Sequence, residues 1–212
     1  MIQVWGRKTS SNVQALMWCL GELGLDYNRY DIGHKYGGND TPEFLAMNPN
    51  GTVPVLRDGE GLPMWETGAI LRYLAGKYGT NIFWPNDIEA RAEIDKWGEW
   101  AKINIAMNFT APVFWMVVRT AAKHRNEQAL KKALQALHGK FDIAEEQIKK
   151  HGYLAGKAFS LADIQFGHIL YRYFDINIER PSYPLIEKYY EELKKRPAFV
   201  EHVILSYEEL RV

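Results

Sequence analysis

The sequence predicts an α/β domain with element order βαβαββα, followed by an all-helical domain. Strand-like and helix-like patterns alternate up to Gly79, whereas from residue 87 onward strand alternation all but disappears. Pro54 stands between Val53 and Val55 in a strand-forming run, and because proline donates no ladder hydrogen bond that run belongs at a sheet edge or bend. Between the two textures lies a polar and aromatic connector, "TNIFWPND", containing Pro85. We therefore expect one domain over residues 1–79, a linker over 80–86 and a helical domain over 87–212.

Each element follows from local pattern. "IQVWG" reads as a short strand, and Val13, Leu16, Met17, Leu20 and Leu23 then recur at helical spacing until Gly24. "DYNRYDI" alternates as a second strand, and a glycine-rich loop, "GHKYGGND", leads to a short helix over "TPEFLAMN" with Pro42 in its first turn. "TVPVLRD" and "GLPMW" form two strands joined at "DGEG", and "ETGAILRYLAGKYG" carries Ile70, Leu71 and Leu74 on one helical face. In the second part the pattern predicts helices over 87–119, with a kink at Pro112, and over 126–150, closed by Gly152 after a basic last turn. Further helices are expected over 160–175, 182–196 and 197–209.

Composition excludes several classes of function. Lys plus Arg and Asp plus Glu both number 26, so no broad attraction to nucleic acid or anionic membrane is expected. The start, "MIQVWGRK", lacks the pattern of a secretory signal, and the longest apolar run, "APVFWMVV", is too short to span a bilayer. A soluble cytoplasmic protein is the expectation. One cysteine, Cys19, permits no intrachain disulfide, and the six histidines lack metal-ligand spacing. No metal is expected.

Chemistry is concentrated in three segments. In "TSSNVQALMW" the residues Ser10, Ser11 and Asn12 suit a helix N-cap, yet exposed amides at a helix start also favour an anion, and a hydroxyl there can serve a bound thiolate. In "NGTVPVL", Pro54 reads on its own as an ordinary trans proline at an edge; the alternative is a bend that frees the Val53 backbone to pair with a peptide ligand as an added strand. In "WETGAIL", Thr67 is a natural N-cap and Glu66 complements the helix dipole. The same two residues equally fit a zwitterionic amino-acid group, with Thr67 and free amides on its carboxylate and Glu66 on its ammonium.

These segments, "KTSSNV", "NPNGTVPVL" and "WETGAILRYLA", together with "FSLADI" further on, resemble the glutathione S-transferase family, in particular its serine-type and nu-like bacterial members, over most of the chain. The resemblance implies a thioredoxin-like first domain, a helical-bundle second domain, glutathione as co-substrate bound between them, and a homodimer. It implies a cis bond before Pro54, with Val53 pairing to the cysteinyl part of glutathione and Glu66 and Thr67 holding the γ-glutamyl end. Ser10 falls where such members place the hydroxyl that hydrogen-bonds the glutathione sulfur, with Asn12 as a second donor and Thr9 and Ser11 as neighbouring alternatives. Lys35 and His34 fall where the glycine carboxylate is contacted, Thr52 and Asn50 border the peptide, and Asp163 belongs to folding of the helical domain. No tyrosine occurs in the first 26 residues, and Cys19 lies inside the helix as a small buried hydrophobe. The expected activity is conjugation of glutathione to small hydrophobic electrophiles, a detoxifying reaction. Glutathione-dependent disulfide or peroxide reduction and a non-catalytic glutathione-binding scaffold are the alternatives. Some of Trp97, Trp100, Met107, Phe109, Phe114, Trp115 and Met116 would line the electrophile pocket, the remainder forming bundle core or dimer contact.

Overall fold

A computed structural model describes residues 1–212. The first part contains β1 (Ile2–Trp5), α1 (Ser11–Glu22), β2 (Tyr27–Tyr30), α2 (Pro42–Met47), β3 (Val55–Asp58), β4 (Met64–Trp65) and α3 (Thr67–Tyr78), in the order expected. The sheet order is β2-β1-β3-β4, with β1 parallel to β2 and antiparallel to β3, and β3 antiparallel to β4. Ile2 and Val4 point into the core, while edge strand β2 exposes Asn28 and Tyr30 and half-buries Tyr27 and Arg29, the period of two that its alternation announced. β4 is shorter than "GLPMW" suggested. Pro63 precedes it and lacks an N–H, and pairing begins only at Met64 opposite Leu56.

The close meeting of the sheet and α1 depends on Gly6. A Cβ at this position would lie 2.6 Å from Val13 Cγ2 and 3.2 Å from Val53 Cβ, so the end of β1, the start of α1 and the bend before Pro54 converge where only a hydrogen fits. Its φ of 153° adds a backbone restriction. Gly6→Ala is therefore expected to lower unfolding free energy by about 1–3 kcal/mol in chemical denaturation; an unchanged midpoint would show that this junction relaxes freely.

The second part is helical throughout, but its helices are more broken than their periodicity suggested. α4 (Ile88–Val118) runs as one helix, capped by Asp87 accepting from the Ala90 amide at 2.8 Å. Pro112 does not end or simply kink it: two stretches, Ala101–Ala106 and Thr110–Trp115, widen to π-helical pairing, and the second absorbs the proline's missing donor. Side-chain amides serve the first wide turn, with Asn104 Nδ2 donating to Trp100 O at 3.2 Å and Asn108 Nδ2 to Ile103 O at 3.0 Å. By length and hydropathy α4 is apolar enough to cross a membrane. Its Ala101, Ile105, Phe109, Val113 and Phe114, however, are core residues with 1% exposure or less, so bundle packing accounts for its composition.

α5 (Glu127–His151) starts at the Asn126 cap, whose side chain accepts from the Ala129 amide at 2.9 Å, and ends at Gly152 with φ 90°. The span expected as one helix over 160–175 is divided into α6 (Leu161–Gly167) and α7 (Leu170–Asp175). At the break His168 Nδ1 lies 3.1 Å from Ile164 O, and Gly167 is pressed against Leu193 and Trp18. α8 (Pro184–Leu193) starts where Glu145 of α5 accepts from the Leu185 and Ile186 amides at 2.9 and 2.8 Å, a cap supplied from another helix. α9 (Pro197–His202) stops well before residue 209, because the amides of Val203 and Ile204 both turn back to Phe199 O. A separate 3-10 turn, Glu208–Leu210, follows near the C-terminus.

A single connected set of 47 buried apolar residues draws on both parts, so they share a core rather than a wetted hinge. α1 is its centre. Leu16, Trp18 and Leu20 are fully buried, and the Trp18 ring meets Phe199 edge-on at 4.8 Å. Trp18 Nε1 donates to Glu22 at 2.8 Å, and the same carboxylate receives Arg196 at 2.5 and 2.7 Å. Cys19 is fully buried as expected, and burial pushes its thiol well above the ordinary range.

Candidate active site

Three chain segments meet at the C-terminal end of β1. The first is the turn into α1. Ser10 occupies the N-cap position with φ −79° and ψ 126°, and its carbonyl accepts from the Gln14 amide at 2.8 Å. Its hydroxyl makes no capping hydrogen bond, so the cap reading accounts for the Ser10 backbone and leaves the half-buried side chain unspent. α1 carries no acidic residue in its first turn, which leaves the positive end of its dipole uncompensated. Thr9 is buried and doubly engaged: its hydroxyl donates to Glu209 at 2.5 Å, and its carbonyl accepts from Arg172 Nη2 at 2.8 Å. Ser11 is buried, and Asn12 Oδ1 accepts from Lys102 Nζ at 2.6 Å.

The second segment is the bend before β3. The Val53–Pro54 peptide bond is cis, so the ordinary trans form that the segment suggested on its own is not adopted. Strand pairing begins only at Val55, and the N–H and C=O of Val53 enter no backbone hydrogen bond. They remain available to an added strand. Asn48, buried at 1% exposure, holds the approach: its Nδ2 donates to Thr52 O at 2.8 Å and Thr52 Oγ1 at 3.2 Å, and its Oδ1 accepts from the Asn50 amide at 3.1 Å.

The third segment is the entry to α3. Glu66, not Thr67, is the N-cap residue, with φ 67° and ψ 112°. The helix cannot extend back through that backbone, so Thr67 becomes its buried first residue. A non-glycine residue in such a conformation costs about 1–3 kcal/mol, and the exposed Glu66 is held there by its carbonyl accepting from the Ile70 amide at 3.0 Å. The first α3 amides, which have no intrahelical partner, follow directly on this exposed residue.

Lys35 and His34 lie on an exposed 3-10 turn, His34–Tyr36. The Lys35 ammonium pairs with Glu209, which lowers the Glu209 carboxyl through hydrogen bonds from Lys35 and Thr9.

Beside the first segment a cleft of about 240 Å³ is lined by Ser11, Asn12, Lys102, Ala106, Met107, Thr110, Ala111 and Trp115. Ser10 lies outside that lining. Of the aromatic and methionine residues proposed for an electrophile pocket, Met107 and Trp115 reach it, whereas Phe109 and Phe114 are core. Trp97 and Trp100 pack edge-on against each other at 5.2 Å.

Sequence reasoning missed three residues here. Lys102 is half-buried, and burial pulls its ammonium down while Glu66 and Glu99 act to raise it. Arg172 is fully buried, its guanidinium 4.7 Å from the Phe114 ring centre and drawn down to about 10 by burial and then by Arg7. Glu209 closes the rim from the C-terminal turn. Separations of 90, 163 and 200 residues from their partners in the first segment leave no local signal for any of them.

A four-stranded mixed sheet with a cis-proline bend beside the first strand-to-helix turn, packed on a helical bundle, defines a thioredoxin-like ligand-binding domain joined to an all-α domain. Residues 1–76 match the glutathione S-transferase N-terminal domain family and residues 106–197 the glutathione S-transferase C-terminal domain family. The chain belongs to the glutathione S-transferase family. It is 34% identical to glutathione S-transferase GstB of Escherichia coli over 206 residues, 97% of this chain and 99% of that protein. Glutathione S-transferase 3 of Zea mays is 30% identical over 95% of this chain and 93% of its own length. Among solved structures, the theta class glutathione S-transferase of Xanthomonas axonopodis pv. citri with glutathione bound superposes with TM-score 0.91 at 38% identity, covering 97% of this chain and 98% of that one. Glutathione S-transferase I from maize, in complex with an atrazine glutathione conjugate, gives 0.84 at 25% identity with 96% of each chain covered.

Proposed function

We propose that this chain is a glutathione transferase that binds glutathione across the three segments, keeps its sulfur ionised at the start of α1 and adds it to small hydrophobic electrophiles in the adjoining cleft. The carrying observation is the convergence at one rim of an uncommitted Ser10 hydroxyl, an unpaired Val53 backbone and the strained Glu66–Thr67 helix entry. Val53, next to Pro54, would pair with the cysteinyl residue, bordered by Thr52. Glu66 would take the γ-glutamyl ammonium, with Thr67 and the α3 amides on its carboxylate. Lys35 would reach the glycine carboxylate by exchanging it for Glu209. Residues 1–79 then supply the glutathione site and 87–212 the electrophile wall, joined by 80–86. A cytoplasmic homodimer is part of the reading.

The test is direct. Wild-type protein is expected to bind S-methylglutathione and to consume glutathione with a model aryl halide, and sedimentation is expected to give twice the chain mass. Absence of S-methylglutathione binding would remove the peptide site. Glu66→Ala is expected to weaken glutathione binding about 10- to 100-fold, the loss of a charge-assisted contact of about 1.5–3 kcal/mol, while the chemical denaturation midpoint stays close to wild type because alanine, like glutamate, keeps a Cβ at the same positive φ. Unchanged affinity would remove Glu66 from the site.

A further inference from the structure

Lys102 lies in the first wide turn of α4, lines the cleft beside Ser11 and Asn12, and makes no ion pair. Its one hydrogen bond goes to Asn12 Oδ1, across 90 residues of sequence and from one domain to the other. An ammonium can only donate, so the amide of Asn12 is fixed with its oxygen toward Lys102 and its Nδ2 hydrogens away from it. Nδ2 donates to no group of the protein, whereas Oδ1 is held by a charge-assisted bond that also polarises the amide toward a stronger N–H donor. Asn12 follows Ser10 by two residues at the uncompensated end of α1, so an oriented donor is available beside the position assigned to the sulfur.

We propose that Lys102 is a positioning residue: reaching across from the helical domain, it locks the Asn12 carboxamide with its N–H groups presented to the sulfur of bound glutathione. This rests on the glutathione site proposed above and adds to it a second donor whose orientation is set by the other domain. No bond is made or broken by Lys102, and the proton lost by the thiol passes to solvent. The charged or titratable groups around Lys102 are Glu66 at the entry to α3, Glu99 on α4, already bound to Arg72, and His168 after α6, which burial keeps neutral.

The experiment is ultraviolet difference titration of glutathione bound to wild type, Lys102→Met, Lys102→Arg, Asn12→Ala and the Asn12→Ala/Lys102→Met double variant. S-methylglutathione affinity serves as the measure of folding and peptide binding, and Lys96→Met, an exposed position on the same helix, is the surface control. Lys102→Met is expected to move half-ionisation of the bound thiol alkaline by about one pH unit, a tenfold loss of thiolate well below the pKa. Asn12→Ala is expected to shift it to the same extent, Lys102→Arg to recover most of the shift, and S-methylglutathione affinity to stay within about threefold in every variant. In the Asn12→Ala background, Lys102→Met should add less than about threefold.

Coincident titrations of wild type and either single variant would overturn the proposal. So would a full tenfold effect of Lys102→Met without Asn12, which would make Lys102 a charge acting through space. If wild-type complex itself retained the solution thiol pKa of about 8.5, the thiolate reading of the site would fail first and this inference with it.

Discussion

Ser10→Ala is expected to lower kcat/KM for conjugation of glutathione to an aryl halide about 10- to 30-fold at neutral pH, the fall from a thiol largely ionised to one only a few per cent ionised. A free cysteine thiol has a pKa of about 8.5, leaving only a few per cent ionised at neutral pH. Lowering it by two units requires about 2.7 kcal/mol in favour of the anion. A hydrogen bond to a charged acceptor supplies about 1.5–3 kcal/mol and a helix N-terminus about 0.3–1, so the Ser10 hydroxyl and α1 together are sufficient in size.

The direction of the pH effect follows from which form is stabilised. A donor that favours the thiolate lowers its pKa, so Ser10→Ala moves the acidic limb of the kcat/KM profile toward higher pH. Rates converge where the free thiol is ionised in both proteins. Glutathione affinity at low pH, where the sulfur is protonated in both, stays unchanged. Thr9 is disfavoured as the donor because its hydroxyl is already committed to Glu209. Ser11 is buried at 9% exposure and lines the cleft, so it is the comparison that matters. A profile shifted in Ser11→Ala and unshifted in Ser10→Ala would move the donor by one residue.

Much of this site was legible because its parts are local. The turn into α1, the proline bend and the entry to α3 are each a run of a few residues whose backbone demands show in residue type. What the sequence concealed is side-chain use. "TSSN" announces a helix start, but that the Ser10 hydroxyl leaves the cap unfilled is decided by where the chain places Thr9 and Asn12 against residues 172, 209 and 102. Thr67 resembled an N-cap because the positive φ of Glu66 has no signature in an ordinary glutamate. The resemblance gives Lys35 a ligand contact only, and its pairing with Glu209 depends on the packing of the last turn of the chain. Helix periodicity likewise reported which faces are apolar but not the widened turns of α4 or the break at His168. The second widened turn comes from proline chemistry, and the break comes from Gly167 being pinned between Trp18 and Leu193.

Asp163→Ala is expected to destabilise the protein by about 3–5 kcal/mol, the cost of removing one partner of a buried charged network. Asp163 is fully buried, and burial pushes its carboxyl up while hydrogen bonds oppose it. One oxygen accepts from the Leu154 amide at 3.0 Å and the Tyr189 hydroxyl at 2.9 Å; the other accepts from the Ser160 amide at 2.8 Å and the Ser160 hydroxyl at 3.1 Å. Ser160 at the N-cap and Asp163 three residues on form a capping box with aspartate at its third position. The geometry gives the aspartate the larger share, because the serine hydroxyl also donates to it and the carboxylate ties α6 to α8 and to the segment before it. Alanine would leave those four donors buried without an acceptor. Asp163→Asn keeps an acceptor oxygen but faces the same donors with an amide NH2, so about half of the loss is expected to remain. Denaturant midpoints at neutral pH decide the matter. The segments proposed to hold glutathione lie on the other part of the chain, so whatever fraction of Asp163→Ala remains folded should bind S-methylglutathione with unchanged affinity. A wild-type midpoint in Asp163→Ala would mean that water replaces the carboxylate at no cost, and the structural role assigned to this residue would be lost.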